Sequence, residues 1–173
     1  MNLLGIKIKI FDLELFDSHY YIKRSAIVKK IVFNNRTFYA KFECIDEPLT
    51  PLLLKQHRDR QYTIAVPLVQ NNHTNYLVLE YKGEEYQRFY HLIKHLFKTL
   101  DISTYHIYQG KTTERLQIFI KVNNLTLEEA NTQVQMLSNT LKEKMTKKWK
   151  CLPSSSLPTE YNIITLPYKR YNG

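Results

Sequence analysis

The order of apolar patterns between Arg60 and Val122 limits the chain more than any other feature. Tyr62 to Leu68 and Tyr76 to Tyr81 read as strands separated by the polar turn Gln70-Asn71-Asn72-His73-Thr74-Asn75. From Glu84 to Leu100 the residues Phe89, Leu92, Ile93, Leu96, Phe97 and Leu100 recur every three or four positions, which predicts an amphipathic helix. Two further strands follow, Thr104 to Gln109 and Arg115 to Val122. This order brings Tyr76–Tyr81, which carries Glu80, beside Arg115–Lys121, which carries Gln117 and follows Gln109-Gly110-Lys111. A carboxylate on one central strand and a polar residue flanked by cations on its neighbour is the layout of a metal–nucleotide site, here short of acidic groups.

Around this segment the punctuation is local. Ile6-Lys7-Ile8-Lys9-Ile10 alternates with period two, as a half-buried strand does, and Ile31–Phe33 and Thr37–Phe42 flank Asn34-Asn35-Arg36 as a hairpin. Thr50 followed by Pro51 predicts the start of a short helix carrying Leu52, Leu53 and Leu54. Thr126-Leu127-Glu128-Glu129 is a capping-box pattern opening a long helix with the stripe Leu127, Ala130, Val134, Leu137, Leu141 and Met145. Pro153 to Pro158 reads as a loop and Tyr161 to Leu166 as the last strand.

From Tyr76 onward the order is strand–helix–strand–strand–helix–strand. It predicts an α+β protein with a ferredoxin-like, split βαβ core. The first and third strands of that core are expected side by side at its centre. Residues 1–60 form an accessory α/β unit and 61–173 the core, together one compact globule. Alternation turns Leu77, Leu79, Leu116, Ile118 and Ile120 toward the helices. The other face takes Tyr76, His106, Tyr108 and Phe119 as a candidate stacking surface, with Glu80, Gln117 and Lys121 among them. The N-terminal part covers that face or the face binds a ligand; a cleft between the two satisfies both. Rings on central strands also invite an RNA-recognition reading, although Arg115 to Val122 lacks the glycine- and aromatic-rich pattern of such modules.

Charge narrows the partners. The 173 residues carry a formal +9, and residues 141–173 hold seven cations (Lys142, Lys144, Lys147, Lys148, Lys150, Lys169, Arg170) against Glu143 and Glu160. Such an end attracts polyanions over a Debye length of about 8 Å at physiological salt. No apolar run is long enough to cross a membrane and no signal peptide opens the chain, so a cytoplasmic protein without a membrane partner is expected. Cys44 and Cys151 have no Cys or His neighbour at metal-ligand spacing, which fits two reduced thiols. His91 and His95 share a helix face without an acidic helper and read as solvated.

The segment Gln56-His57-Arg58-Asp59-Arg60-Gln61-Tyr62-Thr63-Ile64-Ala65-Val66-Pro67-Leu68, then Leu77-Val78-Leu79-Glu80-Tyr81-Lys82, Gln109-Gly110-Lys111 with Leu116 to Ile120, and Ile164-Thr165-Leu166-Pro167 follow one another in a known order. Over roughly Leu53 to Gly173 they resemble the motifs of the archaeo-eukaryotic primase, or primase–polymerase (Prim-Pol), superfamily. The size and the stretch Asp17-Ser18-His19-Tyr20-Tyr21 also look like an uncharacterised family of small epsilonproteobacterial proteins that share this fold. The resemblance implies a nucleotide site over the sheet.

Departures from that pattern set the chemistry expected. Two-metal phosphoryl transfer needs carboxylates holding ions about 3.5–4 Å apart. The Asp-x-Asp position reads Glu80-Tyr81-Lys82, Gln117 replaces the histidine that meets the incoming phosphates, and Thr165 stands where an arginine is usual. Glu80 and Glu160 remain as candidate catalytic acids, and Lys82 is expected to pair with Glu80. Lys82, Gly110, Lys111, Arg115, Gln117, Lys121, Lys169 and Arg170 are the candidate phosphate-binding residues. Gly110 would let backbone N–H groups approach an anion. No dedicated metal site is expected, and weakly held Mg²⁺ is the one cofactor left open. The function read from this is binding of a nucleoside triphosphate or single-stranded nucleic acid without efficient polymerisation. A structural or regulatory interaction module with a vestigial cleft, or a residual nucleotidyltransferase, are the alternatives.

Overall fold

The turn residues organise the first part of the chain. The structure, a computed structural model, describes residues 7–173; Ile6 of the expected first strand lies outside them. β1 (Lys7–Ile10) and β2 (Leu13–Phe16) pair antiparallel, with Phe11 at φ 53 in the turn. β4 (Lys29–Phe33) and β5 (Arg36–Ala40) form the expected hairpin, in which Asn34 and Asn35 sit at φ 50 and 60. Positive φ at both central residues is what a two-residue turn matching strand twist requires, and Asn tolerates it. α1 (Pro51–Arg58) begins at Thr50, whose hydroxyl accepts from the Leu53 N–H at 3.2 Å.

The chain splits into two units. One runs to Asn71 and takes back Ser155–Leu166; the other is Asn72–Ser154 with Pro167–Gly173. This departs from a boundary at residues 60 and 61. In the first unit β3 (Tyr20–Lys23), β6 (Phe42–Ile45), β7 (Ile64–Pro67) and β12 (Ile163–Thr165) form an antiparallel sheet in the order β12-β7-β3-β6. Two segments expected in the core therefore belong here. Ile64–Pro67 pairs with Tyr21–Ile22 on one side and Ile163–Thr165 on the other. Its four residues are all buried, which a strand covered on both faces needs.

The second unit contains β8 (His73–Lys82), α2 (Tyr86–Thr99), β9 (Tyr105–Gln109), β10 (Arg115–Thr126), α3 (Leu127–Lys142), β11 (Trp149–Leu152) and β13 (Lys169–Arg170). Its sheet is antiparallel, in the order β11-β8-β10-β9-β13. The strand beyond α3 is thus Trp149–Leu152, not Tyr161–Leu166. Thr126 and Glu129 complete their capping box in both directions at 3.2 Å. Leu77, Leu79, Leu116, Ile118 and Ile120 enter one core with Phe89, Ile93 and Phe97 of α2 and Ala130, Val134 and Leu141 of α3. Trp149 joins it by stacking on Phe89 at 5.5 Å and donating its indole N–H to Ser138 Oγ at 2.9 Å. The protein is thus mixed α+β, with three α-helices and antiparallel sheets among the described residues. No helix of those residues is long and apolar enough to cross a membrane.

Candidate anion-binding site

Register decides which charges meet. Gln117 lies directly opposite Glu80 and Arg115 opposite Lys82 on the antiparallel pair β8–β10. On the other side of β8, Lys150 faces Glu80, and the Lys82 N–H donates to the Lys148 carbonyl at 2.9 Å. Two rows therefore cross three strands on the face turned away from α2 and α3. One reads Lys148–Lys82–Arg115 and the next Lys150–Glu80–Gln117. Side chains directly opposite in such a pair have Cβ atoms about 4.5–5.5 Å apart, and like charges placed so repel. With Lys147, the residues of these rows other than Gln117 line a basin of about 520 Å³.

The basin is cationic and its charges are uncompensated. Lys82, Arg115, Lys147, Lys148 and Lys150 surround Glu80 as the one carboxylate. Among the described residues none of the five cations forms an ion pair, whereas Arg24, Lys29, Lys55 and Arg88 each do. Contrary to the expectation from sequence, Glu80 does not pair with Lys82; it accepts from Gln117 Nε2 at 3.3 Å. The straight-across partner on β10 is nearer than the residue two positions along the same strand, because a strand rises about 3.3 Å per residue.

Two glycines shape this end of the sheet. A Cβ on Gly83 would stand 2.9 Å from Lys148 Cδ and 2.7 Å from the Tyr81 hydroxyl, so the strand edge approaches β11 as closely as it does because nothing is there. Gly110 does not offer its N–H to an anion, contrary to expectation. That N–H donates to the Arg115 carbonyl at 2.8 Å, and a Cβ would meet Arg115 Cβ at 2.9 Å. Gly110 closes the β9–β10 turn and lets Arg115 pack against it. Gln109 Nε2 holds the same turn through the Thr113 carbonyl at 2.8 Å.

The remaining sequence candidates disperse. Lys121 lies six residues along β10 from Arg115, about 20 Å away, and its ammonium sits 5.1 Å from the Tyr76 ring centroid. Arg170 faces Tyr108 on the far edge strand, and Lys169 takes the register position beside it. Lys111 is exposed in the turn before β10. Glu160 belongs to the first unit, where Lys29 donates to it at 2.8 Å; that bond holds its carboxyl below the usual range. Among the described residues no group of three or more His, Cys, Asp or Glu could hold a metal ion.

The expected stacking surface is also corrected. Phe119 and Tyr108 are 0 % exposed and Tyr76 5 %, packed edge to face with centroids 5.8 Å apart. Their rings are spent on packing, and His106 remains half-buried beside them. His57, in the motif-like segment before β7, is likewise structural. The Ile64 N–H donates to its Nδ1 at 3.0 Å, so Nε2 carries the proton and donates to the Leu166 carbonyl at 2.8 Å.

From sequence alone Lys147, Lys148 and Lys150 read as part of a cationic end with no tie to the site. The signal was the alternation Lys148-Trp149-Lys150-Cys151, which marks a strand with one charged and one apolar face. Residues 6–75 match a family described as a domain of unknown function, DUF1882. No curated protein matches the chain. Every basin residue lies beyond the matched segment.

Proposed function

We propose that the second unit is a ferredoxin-like, split βαβ domain of primase–polymerase type that binds a nucleotide or single-stranded nucleic acid without efficient polymerisation. The strand order β11-β8-β10-β9, with α2 and α3 packed in one core against it, supports the fold reading. The observation that carries the function is the row Lys148–Lys82–Arg115, unpaired and set beside Lys150. Rows of opposed cations destabilise a sheet by a few tenths of a kcal/mol or more per pair. An anion seated across them removes that repulsion and gains charge-assisted hydrogen bonds. Glu80 is a single carboxylate in a cationic basin, which suits binding and not two-metal transfer.

Thermal unfolding and calorimetric titration with the common nucleoside triphosphates and an oligothymidylate, each with Mg²⁺ and with EDTA, test this reading. Stabilisation by about 1 kcal/mol is expected once free ligand exceeds its dissociation constant several-fold. Absence of heat and of any shift at millimolar ligand, for all of them, would leave the interaction-module reading in its place.

A further inference from the structure

We infer that the basin recognises a condensed phosphate chain and is blind to the base attached to it, an inference that rests on the anion-binding reading above. Three observations converge. The charge is dense: five cations and one carboxylate line about 520 Å³. A compact, multiply charged anion matches that density, whereas a phosphodiester strand carries one charge per nucleotide spread along its length.

The basin also has nothing with which to read a base. Its aromatic lining residues are Tyr81, 0 % exposed, and Trp149, 4 % exposed. Both rings are committed to the core, stacked on Phe89 at 4.5 and 5.5 Å, so neither presents a face for stacking. The other sheet rings, Tyr76, Tyr108 and Phe119, are buried as well.

The third observation concerns the metal. In sites that hold nucleotide phosphates through Mg²⁺, carboxylates supply the protein's share of the ligands. Here Glu80 is engaged by Gln117, with Lys150 directly across on β11, Lys148 diagonal to it and Lys82 two positions along β8. Lysine neutralises phosphate as a compact point charge, which needs no divalent ion between protein and ligand. The ligand therefore binds as the free polyanion, and Mg²⁺ competes for it instead of bridging it.

The probe is inorganic tripolyphosphate, titrated calorimetrically into the full chain in EDTA and again in millimolar Mg²⁺. ATP, CTP, adenosine and an unphosphorylated oligothymidylate serve as parallel titrants. Tripolyphosphate, ATP and CTP are expected to bind within about threefold of one another. Adenosine should not bind, and Mg²⁺ should weaken all three. Lys82→Ala with Lys148→Ala should lower tripolyphosphate affinity at least tenfold, with the unfolding temperature unchanged or raised as evidence of an intact fold. Lys94→Ala, on the exposed face of α2, should leave the affinity as it is. Strong binding of one nucleotide or of the oligothymidylate without tripolyphosphate binding overturns the inference and leaves the nucleotide or nucleic-acid reading standing. Loss of ATP binding in EDTA does the same. No binding by any titrant removes both, and equal loss with Lys94→Ala shows diffuse charge and no site.

Discussion

The two units treat their cations differently. In the first, Arg24 meets Glu43 at 2.6 Å, Lys29 meets Glu160 at 2.8 Å and Lys55 pairs with Asp59 one helical turn away. In the second, Arg88 pairs with Glu85 at 3.3 Å, but the five basin cations share a single carboxylate and pair with none of the described acids. Exposed pairs of the first kind contribute about 0–1 kcal/mol and chiefly keep charge from accumulating. Accumulated charge of the second kind opposes folding through self-repulsion, which solvent, salt or a bound anion screens. What sets the basin apart is that Lys148, Lys82 and Arg115 stand opposite one another in register.

The sharpest way to break that comparison is to remove the strand that holds the lysines. Trp149→Ala deletes a 4 % exposed ring from the core and leaves Ser138 without its indole donor. It should cost about 3–5 kcal/mol in denaturant unfolding. Phosphate binding should vanish with it even though no cation has changed. A loss under 1 kcal/mol would mean that β11 is not anchored as described.

A smaller and opposite effect is expected inside the basin. Lys82→Ala relieves two cross-strand repulsions, from Arg115 and from Lys148, and should raise stability by a few tenths of a kcal/mol while weakening anion binding. Arg24→Ala, which removes a paired cation, should not raise it. If both substitutions destabilise alike, the contrast between the units has no energetic content.

The smallest effect is a pH dependence confined to the first unit. Lys29 depresses the Glu160 carboxyl, so the pair's contribution is fully present above the ordinary carboxylate range. It is lost as pH falls through the depressed value, because protonation then removes the bond in the folded state. Melting temperatures of the parent and of Glu160→Gln should differ near neutrality and converge in acid. A difference that persists at the lowest pH would assign the effect to packing.

The second unit was more legible than the first, and for local reasons. The periodicity of Phe89, Ile93, Leu96 and Phe97 located α2, which runs Tyr86–Thr99, and Thr126 with Glu129 located the start of α3. Alternation put Glu80 and Gln117 on one face of neighbouring strands, and the register sets them directly opposite. Trp149–Leu152, four residues flanked by lysines, carries little apolar signal, while Ile163-Ile164-Thr165 carries more and reads as the core strand in its stead. Strand partners are chosen by long-range pairing, which a short apolar run does not specify.

By itself the sequence determined the helices, the caps, the Asn34-Asn35 turn and the face on which each strand residue lies. All of these follow from backbone sterics and periods of 3.6 and 2 read within a few residues. Tertiary structure decided which sheet each strand joins. That choice drew Lys147, Lys148 and Lys150 to Lys82 and Arg115 and bound Glu160 to Lys29. Net charge is additive along a chain, but electrostatic energy depends on distance, and the distances are set by register.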